Sequence, residues 1–122
     1  MVSSWSGGNF GPQAWSVRNG GDGFFSTIEP ILGSRWYYAS QNGNIRVTTS
    51  TAGTSTVSAT PSGWGADRKS FLTNFDLYRY GGEASGCPLA TGCGRIIAGS
   101  YRVWESVTGG VPTSGWKANS TD

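Results

Sequence analysis

The chain has 122 residues, 13% of them charged, with a formal net charge of +2 and no histidine. This length is typical of one domain, and the lack of histidine excludes Ser-His-Asp, Cys-His and histidine-ligated zinc chemistry. The nine Lys and Arg residues form no basic run, so we expect no nucleic-acid interface.

No stretch has the apolar spacing of an amphipathic helix, and the chain is rich in Gly, Ser, Thr and Asn. We therefore predict an all-β fold, a single compact antiparallel domain of sandwich, jelly-roll or small-barrel type that spans residues 1–122. In chain order, the predicted strands lie near residues 13–18, 24–29, 35–41, 44–50, 54–60, 71–80, 95–98 and 100–107.

The dipeptide Asn42-Gly43 predicts a hairpin with a two-residue turn, because such turns need positive φ at both positions. In that register Tyr38 lies opposite Val47, and Trp36 shares this core face. Tyr37 then points outward, beside arginine side chains. The connection after the hairpin is predicted to be a three-residue loop. In that register residues 57 and 59 of the next strand lie on the same core face.

Short segments recur in the same order in the two halves of the chain. SGWGAD matches SGWKAN, VRNGGD matches YRYGGE, GSRWYYAS matches CGRIIAGS, and IRVTTS matches YRVWES. These matches predict two degenerate repeats of roughly 55 residues, 5–63 and 64–115. Residues 116–122 would then begin a third copy or close the first by strand exchange. Because repeats of this size are also typical of propeller blades, two blades that close a ring by oligomerisation are the alternative.

Cys87 and Cys93 bracket a short segment that contains Pro and Gly, which favours a disulfide, with two free thiols as the alternative. Two cysteines without histidine do not complete a zinc site, so we expect no metal and no cofactor. The first 20 residues lack the apolar stretch of a signal peptide, and no apolar run has the length of a membrane span. From the composition we expect an extracellular or virion-surface location and no membrane insertion.

Many aromatic residues with Arg, Asn and few charges are typical of carbohydrate binding. Aromatic rings stack on the C–H faces of sugars, while guanidinium and amide groups form hydrogen bonds with hydroxyls. We predict a non-catalytic, lectin-like or receptor-binding β-domain whose partner is a glycan or a glycosylated surface. The predicted ligand-binding residues are Tyr37, Arg46, Arg102, Trp104, Trp64, Asp67, Trp116 and Asn119. For Trp104 the alternative to ligand binding is burial in the core.

Two other functions remain open at this point. The first is a structural subunit of an extracellular assembly or virion, such as a phage decoration, fibre or tail protein, because the composition is of extracellular type without an export signal. Both this function and glycan binding lead us to expect a homo-oligomer or assembly neighbours. The second is a glycoside hydrolase that uses two carboxylates, Asp76 and Glu105, on predicted strands.

Overall fold

A computed structural model describes residues 23–48, 56–78, 87 and 90–119. Within these residues the strands are β1 Gly23–Ile28, β2 Trp36–Ser40, β3 Asn44–Thr48, β4 Val57–Ser58, β5 Asn74–Leu77, β6 Ile96–Gly99, β7 Val103–Ser106 and β8 Lys117–Ala118. Short 3-10 turns lie at Gln41–Gly43, Ser62–Ala66 and Thr113–Gly115. No helix in the described ranges is long and apolar enough to span a membrane.

The strands form two antiparallel four-stranded sheets, and each sheet follows the chain order of its strands. The first sheet has the order β1-β2-β3-β4 and the second β5-β6-β7-β8. Buried side chains of both sheets, among them Ile45 and Ile96, belong to one hydrophobic core. The all-β prediction is confirmed, and the arrangement is consistent with a small β-sandwich. In the described part of the chain, neither sheet closes into a barrel.

Most predicted strands appear with shorter bounds, whereas the predicted strand at 13–18 lies outside the described residues. The last strand is different, because β8 falls in the segment that we expected to start a third copy or to close the first. β8 pairs with β7 and so belongs to the second sheet, and residues 120–122 of that segment lie outside the described residues.

The predicted register of the β2–β3 hairpin is wrong by one residue. Tyr37, not Tyr38, lies opposite Val47, and the turn has three residues, Gln41–Gly43. A shift of one residue moves every side chain of a strand to the other face. Tyr37 is therefore fully buried in the core, whereas Trp36 and Tyr38 are half-buried on the opposite face.

Tertiary contacts explain the longer turn. The Thr73 hydroxyl accepts the N–H of Gly43 at 2.8 Å and donates to the carbonyl oxygen of Ser40 at 2.5 Å. The Ser40 hydroxyl also accepts from the Asn44 side chain at 2.8 Å, which ties together the pair that closes the turn. Asn42 and Gly43 still adopt the positive φ angles that the dipeptide predicts, at 62° and 80°.

The register between β3 and β4 agrees with the prediction, whereas the predicted three-residue loop lies outside the described residues. Val57 lies opposite Val47, and the Ala59 N–H donates to the carbonyl oxygen of Ile45 at 2.9 Å. Ala59 is buried on the predicted core face, whereas Val57, which was predicted to share that face, is half exposed; among the described strands, β4 is the last of its sheet.

The two sheets have equivalent strand registers. Paired positions 40 and 44 of the first sheet correspond to 99 and 103 of the second, and 46 and 58 correspond to 105 and 117, a constant offset of 59. Positions 37, 39, 45 and 47 are buried, and so are their counterparts 96, 98, 104 and 106. Equivalent faces of the two hairpins are therefore buried.

Candidate functional site

The 3-10 turn Ser62–Ala66 brings the backbone of the SGW segment against the core. Gly63 lies so close to the ring of Trp104 that a Cβ at this position would be 2.5 Å from Cη2. The turn ends at Asp67, whose N–H donates to the carbonyl oxygen of Trp64 at 3.0 Å. This close packing places the carboxylate of Asp67 beneath the turn between β6 and β7.

The Asp67 carboxylate is buried and lies at the centre of a polar cluster. It accepts hydrogen bonds from Nε1 of Trp104 at 2.9 Å and from Nε of Arg102 at 3.1 Å, and it pairs a second time with Nη2 of Arg102. The Ser100 hydroxyl also donates to it. The hydrogen bonds from Arg102, followed by those from Ser100 and Trp104, outweigh burial and hold the pKa of Asp67 far below its usual value.

Arg102 connects this buried carboxylate to the surface. Its guanidinium carbon lies 4.9 Å from the ring centroid of Trp104 and 5.4 Å from that of Tyr101. Both distances are within the range of cation–π interactions. The ring of Tyr101 therefore lies beside a guanidinium that the buried Asp67 orients.

Tyr101 is the exposed aromatic residue of this cluster. Its side chain is 48% exposed, and its N–H donates to the carbonyl oxygen of Arg68 at 3.2 Å. Arg68 is itself exposed and follows Asp67 directly in the chain. We call Tyr101, Arg102 and Arg68 the Tyr101 platform. It combines an exposed aromatic ring, the largely buried guanidinium of Arg102 and the exposed residue Arg68.

The aromatic residues predicted to bind a ligand lie in the core instead. Trp64, Trp104 and Trp116 are buried, and Tyr37 donates its hydroxyl to the carbonyl oxygen of Gly109 at 3.2 Å. Burial raises the pKa of Tyr37 to about 12. The prediction that Tyr37 faces solvent is wrong, and for Trp104 the core alternative is correct. None of these rings offers a face for stacking on a ligand from solution.

The structure brings only some of the predicted residues together. Asp67, Arg102 and Trp104 are in direct contact, whereas Arg46 lies in the first sheet with its Nε 3.2 Å from the Thr56 hydroxyl. Asn119 is exposed and donates its side-chain amide to Glu105 at 2.7 Å. Arg46 and Asn119 therefore have separate surroundings from the polar cluster.

Sequence reasoning missed Tyr101 and Arg68. Tyr101 lies in the turn at residues 100–102, between β6 and β7. The available signal was the tripeptide Ser100-Tyr101-Arg102 at a turn, since turns lie at the surface. The proximity of Arg68 depends on a backbone hydrogen bond between residues far apart in the chain, which no local pattern predicts.

A second surface feature lies on the outer face of the second sheet. It is a depression of about 240 Å³ whose lining is Asn74, Phe75, Asp76, Ile97, Ala98, Gly99 and Val103. A Cβ at Gly99 would meet no atom within 4 Å, so the missing side chain leaves open space there. The lining is largely apolar, in contrast to the polar cluster around Asp67.

The carboxylates of Asp76 and Glu105 lie on this same face. They flank Ile97 on neighbouring strands, about 10 Å apart between Cα atoms at the usual strand spacing. Glu105 accepts hydrogen bonds from Asn119 and from Arg95, each at 2.7 Å, and those bonds lower its pKa. A glycosidase general acid requires a raised pKa, so Glu105 is poorly suited to that role.

A buried carboxylate also links the first sheet to the cysteine segment. Glu29 accepts the N–H groups of Ile31 at 2.7 Å, Leu32 at 2.8 Å and Cys93 at 2.8 Å. Burial alone would raise the pKa of Glu29, but these backbone donors outweigh it and lower the pKa. Cys93 and Cys87, the pair for which the spacing favours a disulfide, are bonded to each other.

Comparisons with known proteins do not assign the chain to a family. No family model, curated protein or solved structure gave a significant match. The function is therefore inferred from the geometry alone.

Proposed function

We propose that this protein is a non-catalytic carbohydrate-binding domain, and that the Tyr101 platform is its binding surface. The observation that carries the proposal is the half-exposed ring of Tyr101, held at 5.4 Å by Arg102, which is itself fixed by the buried Asp67. A ring that is already positioned loses little side-chain freedom when a ligand stacks on it.

The chemistry of the platform suits a sugar. The apolar C–H face of a pyranose packs on an aromatic ring, and the exposed guanidinium of Arg68 donates hydrogen bonds to hydroxyl or carboxylate oxygens. Arg102 keeps its ionic bonds to Asp67 and acts on Tyr101 from behind. This arrangement requires no titrating group, in agreement with a chain that lacks histidine.

The proposal is tested with a panel of saccharides, neutral and acidic, followed by isothermal titration or by NMR shifts of the Tyr101 ring. We expect Tyr101→Ala to weaken binding at least roughly tenfold, equivalent to about 1.4 kcal/mol. Phe25→Ala is the matched control, because Phe25 is an aromatic residue of similar exposure in β1. Absence of any saccharide binding at millimolar concentration, or equal losses in both variants, would contradict the proposal.

The absence of catalysis is part of the proposal. Glu105 is held by Arg95 and Asn119, which favours its ionised form and opposes proton donation to a leaving group. A two-carboxylate hydrolase is therefore the less supported reading. Conversion of Asp76 and Glu105 together to their amides leaves saccharide binding at the Tyr101 platform unchanged if the proposal is correct.

We further propose an extracellular or virion-surface location. The disulfide between Cys87 and Cys93 supports it, because such bonds persist in oxidising surroundings. At a cell or virion surface, several copies that bind one glycosylated surface together have a higher overall affinity than a single weak site. A homo-oligomer would supply those copies.

A structural subunit of an extracellular assembly or virion is the second candidate function. Eleven large apolar side chains among the described residues are more than 40% exposed, several of them on the outer faces of the sheets. Exposed apolar surface of this kind is typical of protein–protein contacts. The two functions are compatible, since a subunit of an assembly can also carry the receptor-binding surface.

The equivalent registers also support a duplicated unit, with each copy contributing one four-stranded sheet. Under this proposal the copies correspond at the constant offset of 59 rather than at the drifting offsets of the short sequence matches. Equivalent hairpin faces are buried in the shared core. Stacked propeller blades would instead pack unlike faces against each other, so the registers favour a sandwich over the propeller alternative.

A further inference from the structure

The outer face of the second sheet carries apolar side chains where an antiparallel sheet usually faces water with polar ones. Ile97 is 46% exposed and Val103 is 49% exposed. One cross-strand row on this face runs from Asp76 through Ile97 and Glu105 to Lys117, in the order β5-β6-β7-β8. We call this surface the outer face.

The shape of the outer face is that of a socket with adjacent projections. Gly99 lies opposite both Asn74 and Val103, and its missing side chain leaves the depression of about 240 Å³. Ile97 and Val103 form part of the wall and are also the projecting apolar residues. Socket and projection therefore lie side by side on one surface.

The charges on the outer face are arranged in a self-complementary way. In the middle of the sheet, Glu105 is neutralised by Arg95 at 2.7 Å. At the two sides the charges are opposite, with the exposed carboxylate of Asp76 on β5 and the exposed ammonium of Lys117 on β8. A two-fold axis that lies in the plane of the contact, parallel to the strands, places the β5 side of one copy against the β8 side of the other.

We propose that the outer face is the contact surface of a symmetric dimer of this chain. In a two-fold interface the same patch is used by both copies, so a contact between two residues occurs twice. Apolar projections of each copy fill the socket beside Gly99 of the other, and Lys117 of each copy lies against the second copy's Asp76. This deepens the second candidate function and does not depend on the glycan proposal.

A second copy fits this surface better than an added strand does. Among the described strands, β8 with Lys117 lies at the edge of the sheet, and a lysine on a short edge strand opposes edge-to-edge pairing. The apolar surface lies on the face of the sheet, where a flat partner with the reverse order of charges is required. The chain itself supplies such a partner.

The test measures the dimer dissociation constant by analytical ultracentrifugation over a range of protein and salt concentrations. We expect the wild type to dimerise, Ile97→Glu to be monomeric, and Lys117→Glu to raise the dissociation constant at least tenfold. The double variant Asp76→Lys with Lys117→Glu swaps the two charges and should restore dimerisation. Leu72→Glu is the control, because Leu72 is equally exposed but lies in the loop before β5.

Circular dichroism and thermal melting confirm that each variant is folded. A wild type that stays monomeric at millimolar concentration overturns the dimer. A dimer that survives Ile97→Glu, or that is lost equally in Leu72→Glu, places the contact elsewhere and overturns the assignment of this face. Failure of the charge swap to restore association overturns the two-fold arrangement. Saccharide titration of the monomeric variant tests the glycan proposal separately.

Discussion

The central turns of the two sheets have the same length and the same strand register, but they are stabilised in different ways. In the first, Gln41–Gly43, two residues adopt positive φ, at 62° and 80°. In the second, residues 100–102, no residue has positive φ. Instead the Ser100 hydroxyl accepts the N–H of Arg102 at 3.1 Å, and both side chains bind Asp67.

The difference shows how one backbone register can be reached by conformational preference or by a buried charge. Asn-Gly adopts the positive φ angles at low cost, and Thr73 completes the first turn with neutral hydrogen bonds. The second turn depends on a carboxylate from elsewhere in the chain. Of the two turns, the second places an exposed aromatic side chain, Tyr101, beside the guanidinium of Arg102.

Of the changes considered, Asp67→Asn should lower stability most, because it removes the buried charge that binds the second turn. The first turn does not contact this carboxylate. The amide has almost the same shape but no charge, and its NH₂ group meets donors on Trp104 and Arg102. We expect the melting temperature to fall by roughly 10 °C, since breaking a buried ion pair is strongly destabilising. Saccharide binding should weaken with it. Asp76→Asn, which changes an exposed carboxylate, is the control, with both variants melted at a protein concentration at which the chain is monomeric; equal melting temperatures for the two variants would contradict this account.

Gly43→Ala should have a smaller effect, on the first turn. A Cβ is strained at φ +80°, and it would lie 2.5 Å from Cδ of Lys69. We expect the free energy of unfolding in urea to fall by about 1–2 kcal/mol. Gly65→Ala is the control, because Gly65 has open space and no positive φ. If both variants lose the same stability, the left-handed conformation is not what holds the first turn.

Acid should produce the smallest difference between the turns. The pKa of Asp67 is lower in the folded than in the unfolded protein, so its contribution to stability is complete above its ordinary value of 3.8. That contribution is lost progressively as the pH falls from about 4 toward 2 and below. The pKa of Glu29 is likewise lowered in the folded protein, from its ordinary value of 4.5. Urea unfolding at pH 6 and pH 3 should therefore show a smaller acid loss in Asp67→Asn than in the wild type; an unchanged loss would argue against the assignment.

The prediction of strands succeeded and the prediction of faces failed at one hairpin. The positive φ angles at Asn42 and Gly43 followed from the dipeptide. The extra turn residue did not, because the closing pair is held by Thr73 from the start of the second sheet. One residue of register then exchanged Tyr37 and Tyr38 between core and surface.

For the candidate site, the sequence indicated Arg102 and Asp67 as site residues. It did not indicate that they bind each other or that Tyr101 lies beside them. Their contact joins residues 35 apart in the chain, so no spacing rule connects them. The buried Trp rings likewise could not be separated from stacking rings by composition, since both uses favour the same residues.

The sequence by itself determined the all-β class, most strand positions and the left-handed residues of the first turn. These follow from backbone preferences that act over a few residues. Only the tertiary structure decided which face of each strand is buried and which aromatic side chain reaches the surface. Those choices depend on the contacts of Thr73 and Asp67 with turns that lie far from them in the chain, and a difference of one residue in a turn reverses the result.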